Sequence, residues 1–238
     1  MVQEALAIPW RRREDFAYAL PVPLALLAGL MLAWYFAGEL LRPLSGWALY
    51  LGYCLVFAAC FTLFAVHCHR LVLLAPPRRL GALALPAWSR RESRFLFWLV
   101  TLWLAYMATV WAVLMLFASA LSWSRELEAW FDQVQLAAKV PALYVVARLS
   151  LVFPATAIDR VVDWKWAWRA SRGNGWRLMV VVTVLPWVVS QLVGFLYRDE
   201  PSAAEVVLIT VLGTALFALE IAALSIAYRE LTKDEPRA

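Results

Sequence analysis

RLSLVFPATAIDRVVDWKWAWRASRGNGWR, from Arg148 to Arg177, is the stretch on which the reading of this chain turns. It follows one apolar run and leads into another, and it carries four Trp among six Lys/Arg. Tryptophan and arginine together settle at the boundary between hydrocarbon and water. Ala157, Val161, Trp164 and Trp168 recur at helical spacing, while Asp159, Arg160, Asp163 and Lys165 fall elsewhere. That pattern predicts an amphipathic helix lying in the membrane surface. Gly173, Asn174 and Gly175 then predict a turn back into the bilayer. Trp164, Trp168, Arg169, Arg172 and Asn174 are the candidate interfacial platform.

Composition places the rest of the chain around that stretch. Hydrophobic residues make up 64% of 238 and charged residues only 16%. A soluble domain carries roughly 45–50% apolar residues, so most of this chain belongs in a bilayer. The sequence predicts an all-α, polytopic bundle of six transmembrane helices, at about 19–38, 44–66, 95–121, 130–147, 178–197 and 206–228. A juxtamembrane segment, 1–18, precedes this membrane domain, and a tail, 229–238, follows it. Span one is too long for the apolar region of a cleaved signal and reads as a retained helix. Span four is unusual in holding Asp132, Gln133, Gln135, Lys139 and Pro141, which predicts a place inside the bundle or beside a polar cavity. Pro186 predicts a kink in span five.

Loop charge sets the orientation. Of 22 Lys/Arg, 18 fall in segment 1–18, in 67–94, in 148–177 and after Tyr228, all on one side of a six-span chain. The positive-inside rule places that side, with both termini, in the cytoplasm. The net charge of +5 is therefore spread over loops, where it meets anionic lipid headgroups, and it does not form a nucleic-acid surface. A membrane-protein partner is the other occupant such a face suits.

The landmarks of the opening stretch occur twice. Arg70-Leu71 lies six residues before Pro76, as Arg148-Leu149 lies before Pro154, and Ser89-Arg90 mirrors Ser171-Arg172. Trp10 to Phe16 is a fainter third copy of Trp88 to Phe95. Three tandem two-helix units account for this, and so does the shared composition of Trp/Arg membrane edges.

The motif from Arg148 to Leu178 resembles a pattern in largely uncharacterised bacterial inner-membrane proteins. It is similar to the YciC-like proteins and to the membrane domain attached to some glycerophosphodiester phosphodiesterases. The resemblance implies six helices in a bacterial inner membrane and no established chemistry. The phosphodiesterase activity does not carry over, because no soluble catalytic domain is present.

Glu220 is the one carboxylate deep in a clean span, roughly 12 Å from its cytoplasmic end. It predicts an intramembrane polar site with Arg148 and Lys139, or else a structural carboxylate. His67, Cys68 and His69 are adjacent and point about 100° apart on a helix, an incomplete set for a metal. The three cysteines, Cys54, Cys60 and Cys68, lie in or beside one span and suggest no disulfide framework. No nucleophile–base set, phosphate loop or nucleotide fingerprint appears, so neither a catalytic residue nor a cofactor is expected. The expectation is a non-enzymatic assembly, regulatory or lipid-handling component acting through its Trp/Arg face. The alternative is a small transporter or lipid translocator with its site between span four and Glu220.

Overall fold

The computed structural model describes residues 21–41, 47–74, 88–120, 131–194 and 202–233. Segment 1–18, Pro76 and the rest of 75–87, and the end of the tail lie outside them. All regular structure among the described residues is helical. In chain order the elements are α1 (Pro21–Leu41), α2 (Trp47–Leu73), α3 (Arg90–Ala120), α4 (Phe131–Leu149), α5 (Val152–Ala157), α6 (Trp164–Ala170) and α7 (Gly175–Met179). A π-helical segment (Val180–Val184) joins α7 to α8 (Leu185–Gly194), and α9 (Ala203–Leu231) closes the fold.

Four stretches are long and apolar enough to cross a membrane: Trp47–Leu73, Arg90–Phe117, Ala137–Ala157 and Ala203–Leu231. Leu24–Ala33 and Gly175–Val188 are shorter apolar helices. The third long stretch runs through the joint between α4 and α5, ten residues past the expected end of span four. Pro154 explains the joint. It has no N–H to offer the Ser150 carbonyl, which accepts from the Phe153 N–H at 3.0 Å instead.

Local signals account for the other shifted ends. α3 starts at Arg90, five residues before its expected start, because Ser89 and Glu92 cap it: the Ser89 N–H donates to Glu92 Oε2 at 2.8 Å. Ser202 and Glu205 form a complete capping box at the start of α9. α2 continues past Val66 to Leu73 because His69 and Arg70 both find partners in the fold. The kink expected at Pro186 takes the form of the π segment ahead of it. A widened turn accommodates the clash between the proline ring and the preceding carbonyl.

Packing fixes helix directions. Phe61 meets Phe217 edge-to-face at 6.0 Å, and His69 bonds Ser225 at 2.7 Å. Both pairs share one sequence offset, so α2 and α9 run parallel and in register. Leu27, early in α1, joins a buried cluster with Phe64, Cys68 and Leu71 from late α2, which makes those two helices antiparallel. Leu102, in the first half of α3, is buried in one cluster with Ala147, near the end of α4, as in a second antiparallel pair. Many of the buried residues are small: Ala138, Ala142 and Ala147 on α4, and Ala222, Ala223 and Ala227 on α9. Small side chains let helix backbones approach closely where lipid offers no hydrophobic drive. Phe97, Trp103, Leu104, Trp111 and Leu116 on α3 stay exposed, as a lipid-facing surface does.

The single in-plane helix expected through Ala157, Val161, Trp164 and Trp168 is replaced by two short helices and a turn. α5 is no surface element: Val152, Pro154, Ala155, Thr156 and Ala157 are all buried. The break is a left-handed helix end at Asp159, φ 65°. The Arg160 N–H reaches the Ala155 carbonyl at 3.0 Å and the Asp159 N–H the Thr156 carbonyl at 3.0 Å. Those two bonds define a Schellman motif. Aspartate tolerates the left-handed region better than most residues, so the periodicity of its neighbours gave no warning.

Candidate functional site

The site grows from the turns that connect α4 to α7. After Asp159, Asp163 caps α6 by accepting the Trp166 N–H on Oδ1 at 2.6 Å. That cap stabilises a helix of only seven residues, too short to persist alone. α6 presents Trp164, Lys165, Trp168 and Arg169 outward, with Trp164 57% exposed. Ala167, on the inner face, is fully buried. Arg172, Trp176 and Arg177 extend the exposed Trp/Arg surface past Gly173, whose φ of 78° turns the chain. Asn174 is half-buried and accepts from Arg177 Nη1 at 3.3 Å. Gly175 has no room for a side chain: a Cβ there would stand 2.6 Å from Tyr144 Oη.

Arg148 holds this surface to the bundle. It is only 9% exposed and stacks 3.7 Å from the centre of the Trp168 ring, with Tyr144 at 5.8 Å. Its Nε donates to Ser171 Oγ at 2.9 Å and its Nη2 to the Trp168 carbonyl at 2.5 Å. A cation in the last turn of α4 also complements the negative end of the helix dipole. Beside it, Arg160 lies 4.9 Å over Trp166, which packs 6.2 Å from Tyr228 of α9. These stacked cations give the exposed Trp and Arg residues a rigid base.

A second polar knot ties the same turns to α2 and α3. Asp159 accepts from Arg70 Nη1 at 3.2 Å and from Arg91 Nη1 at 3.1 Å. Arg70 Nη1 also reaches the Ala157 carbonyl at 3.1 Å, and Arg91 Nε reaches Glu92 Oε1 at 3.0 Å. Arg70 and Arg148, equivalent in the expected repeat, thus have different partners.

The residues expected to form an intramembrane site do not share one locus. Arg148 is occupied by Ser171 and Trp168, not by Glu220. Lys139 is exposed, and the nine residues to Arg148 amount to about two and a half helical turns, which puts the two on opposite faces of α4. Glu220 sits half-buried on α9. His69 uses Nδ1 for Ser225, while Cys68 is buried in a different cluster contact. Among the described residues, no three His, Cys, Asp or Glu side chains group as metal ligands would.

Three features escaped sequence reasoning: the Asp159 clasp, the Gly175–Tyr144 contact and the His69–Ser225 bond. Only the S-x-x-E starts of α3 and α9 carried a readable signal. Compared with protein-family models, curated proteins and solved structures, the chain matches none.

Proposed function

We propose that this chain is a non-enzymatic component of a bacterial inner membrane, with six crossings and both termini in the cytoplasm. It works through a cytoplasmic Trp/Arg platform that gathers anionic lipid headgroups and presents them, or itself, to membrane partners in assembly, regulation or lipid handling. The observation that carries this reading is the outward display of Trp164, Trp168, Arg169 and Arg172 on a base held by buried Arg148. Tryptophan with arginine on a fixed surface suits the headgroup layer.

Helix direction supports six crossings. α2 and α9 are parallel, while α3 and α4 form an antiparallel pair between them. A return across the bilayer between Gly175 and Gly194 would account for α9 running as α2 does. α1, antiparallel to α2 and 21 residues long, supplies about 31 Å of helix, enough for a span. The resemblance to YciC-like membrane domains, and tandem two-helix units, fit the same plan. The separation of Arg148, Lys139 and Glu220 favours the platform over the transporter.

The test is purification in native-membrane nanodiscs, with lipid and protein composition read from one sample. The wild-type chain is expected to enrich anionic lipid over the bulk membrane, or to hold a near-stoichiometric protein. Replacing Trp164, Trp168, Arg169 and Arg172 together with alanine should abolish that enrichment. An unchanged composition in a folded variant overturns the proposal.

A further inference from the structure

Every partner that Arg148 has is neutral. Ser171 offers a hydroxyl, Trp168 a carbonyl and a ring face, and Tyr144 a ring face. Among the described residues no carboxylate lies within ion-pair distance of it, and it has no further interaction. By contrast, Arg70 and Arg91, on the neighbouring helices, share Asp159. A guanidinium carries five N–H donors in a rigid fork. Two are used, so Nη1, which keeps contact with solvent, and one Nη2 hydrogen remain on a residue that is otherwise nine-tenths buried. Buried charges are paired, and neutral dipoles solvate a cation without neutralising it. The partner that suits this accessible edge is an anion with adjacent oxygens, which a guanidinium fork binds in a bidentate manner.

We infer that Arg148 is the floor of a phosphate site, with the Trp168 ring as one wall, and that it holds a single phosphodiester or phosphomonoester anion at the root of the platform. This deepens the headgroup reading and rests on it, adding one stoichiometric, oriented site to a diffuse surface. The phosphate belongs either to a lipid headgroup or to a free anion.

The test uses the full chain, delipidated in a non-ionic detergent. Phosphatidylglycerol, diacylglycerol or inorganic phosphate is added, with native mass spectrometry and thermal stability as readouts. One phosphatidylglycerol retained per chain, with no response to inorganic phosphate, assigns the site to a lipid. Stabilisation by both assigns it to phosphate itself. No preference for either over phosphate-free diacylglycerol overturns the inference. Arg148→Gln is expected to weaken retention at least tenfold, and Arg148→Lys, which keeps the charge but loses the fork, by a smaller factor. Wild-type retention in either folded variant also overturns it, and if neither folds the wild-type titration decides. Arg169→Ala with Arg172→Ala separates the two ideas. It should remove general anionic enrichment in nanodiscs while the single tight ligand stays. Anionic enrichment beyond that single ligand that survives this double variant defeats the platform reading and leaves the Arg148 result to stand or fall by itself.

Discussion

Replacing Ser225 with alanine tests the packing on which the topology rests. Ser225 Oγ donates to the Ile221 carbonyl at 2.8 Å, so it accepts the Nδ1–H of His69 at 2.7 Å. Both side chains are buried, His69 at 1% exposure. Removing the hydroxyl leaves a buried N–H without its acceptor, which costs about 1–3 kcal/mol. Inside membranes the unfolded chain also finds partners, and measured hydrogen bonds average about 0.6 kcal/mol with a maximum near 1.7. The protein-buried site sits toward the upper end, so Ser225→Ala should lose about 1–2 kcal/mol. His69→Leu keeps most of the volume and removes the donor. In that background Ser225→Ala should cost almost nothing, giving a coupling energy of about 1–2 kcal/mol. The assay is equilibrium unfolding by SDS titration from mild-detergent micelles, run over all four corners of the cycle. Additivity within about 0.3–0.5 kcal/mol, the value for residues that do not touch, would show that α2 and α9 are not packed in this register.

Substitutions at Asp159 and Gly175 probe the turns beneath the platform. Asp159→Gly relieves the left-handed backbone, worth about 1–2 kcal/mol. It also gives up contacts of an exposed carboxylate, worth about 0–1 kcal/mol each. Its net effect should be small, whereas Asp159→Ala keeps the strain and loses the contacts. The glycine variant should therefore be the more stable of the two in the same SDS titration, against ordinary helix preference, and the reverse order would refute the Schellman assignment. Gly175→Ala places a methyl 2.6 Å from Tyr144 Oη and 2.8 Å from its Cε2. Overpacking of this kind costs about 1–3 kcal/mol, and Tyr144→Ala in the same chain should remove most of that cost.

The apolar runs were legible in the sequence because lipid imposes length and composition directly on a spanning helix. The exposure of Trp164, Trp168, Arg169 and Arg172 was legible too, since polar and aromatic residues clustered between apolar runs have no place in a helical core. The path between Arg148 and Trp164 was not. Arg148 reads as the end of a span because a charge belongs in water, yet the fold buries it against two rings, a hydroxyl and a carbonyl. The uncharged run from Leu149 to Ile158 was the available sign that the apolar stretch continued. Asp159 joins Arg70 and Arg91 across roughly 70 to 90 residues of sequence, and no local pattern encodes such a meeting. Glu220, Arg148 and Lys139 looked like one site because each is a polar residue in an apolar setting. Their grouping depended on helix faces, which spacing along separate helices does not give.

The most direct measurement is the sidedness of two single cysteines, Trp164→Cys and Ala203→Cys, each in a chain freed of Cys54, Cys60 and Cys68. Both positions are exposed, and a membrane-impermeant thiol reagent is applied to intact cells and to inverted vesicles. A cytoplasmic platform with a crossing between Gly175 and Gly194 predicts that position 164 labels only in inverted vesicles and position 203 only in intact cells. Labelling of both from the same side, or of position 164 from outside, would contradict it.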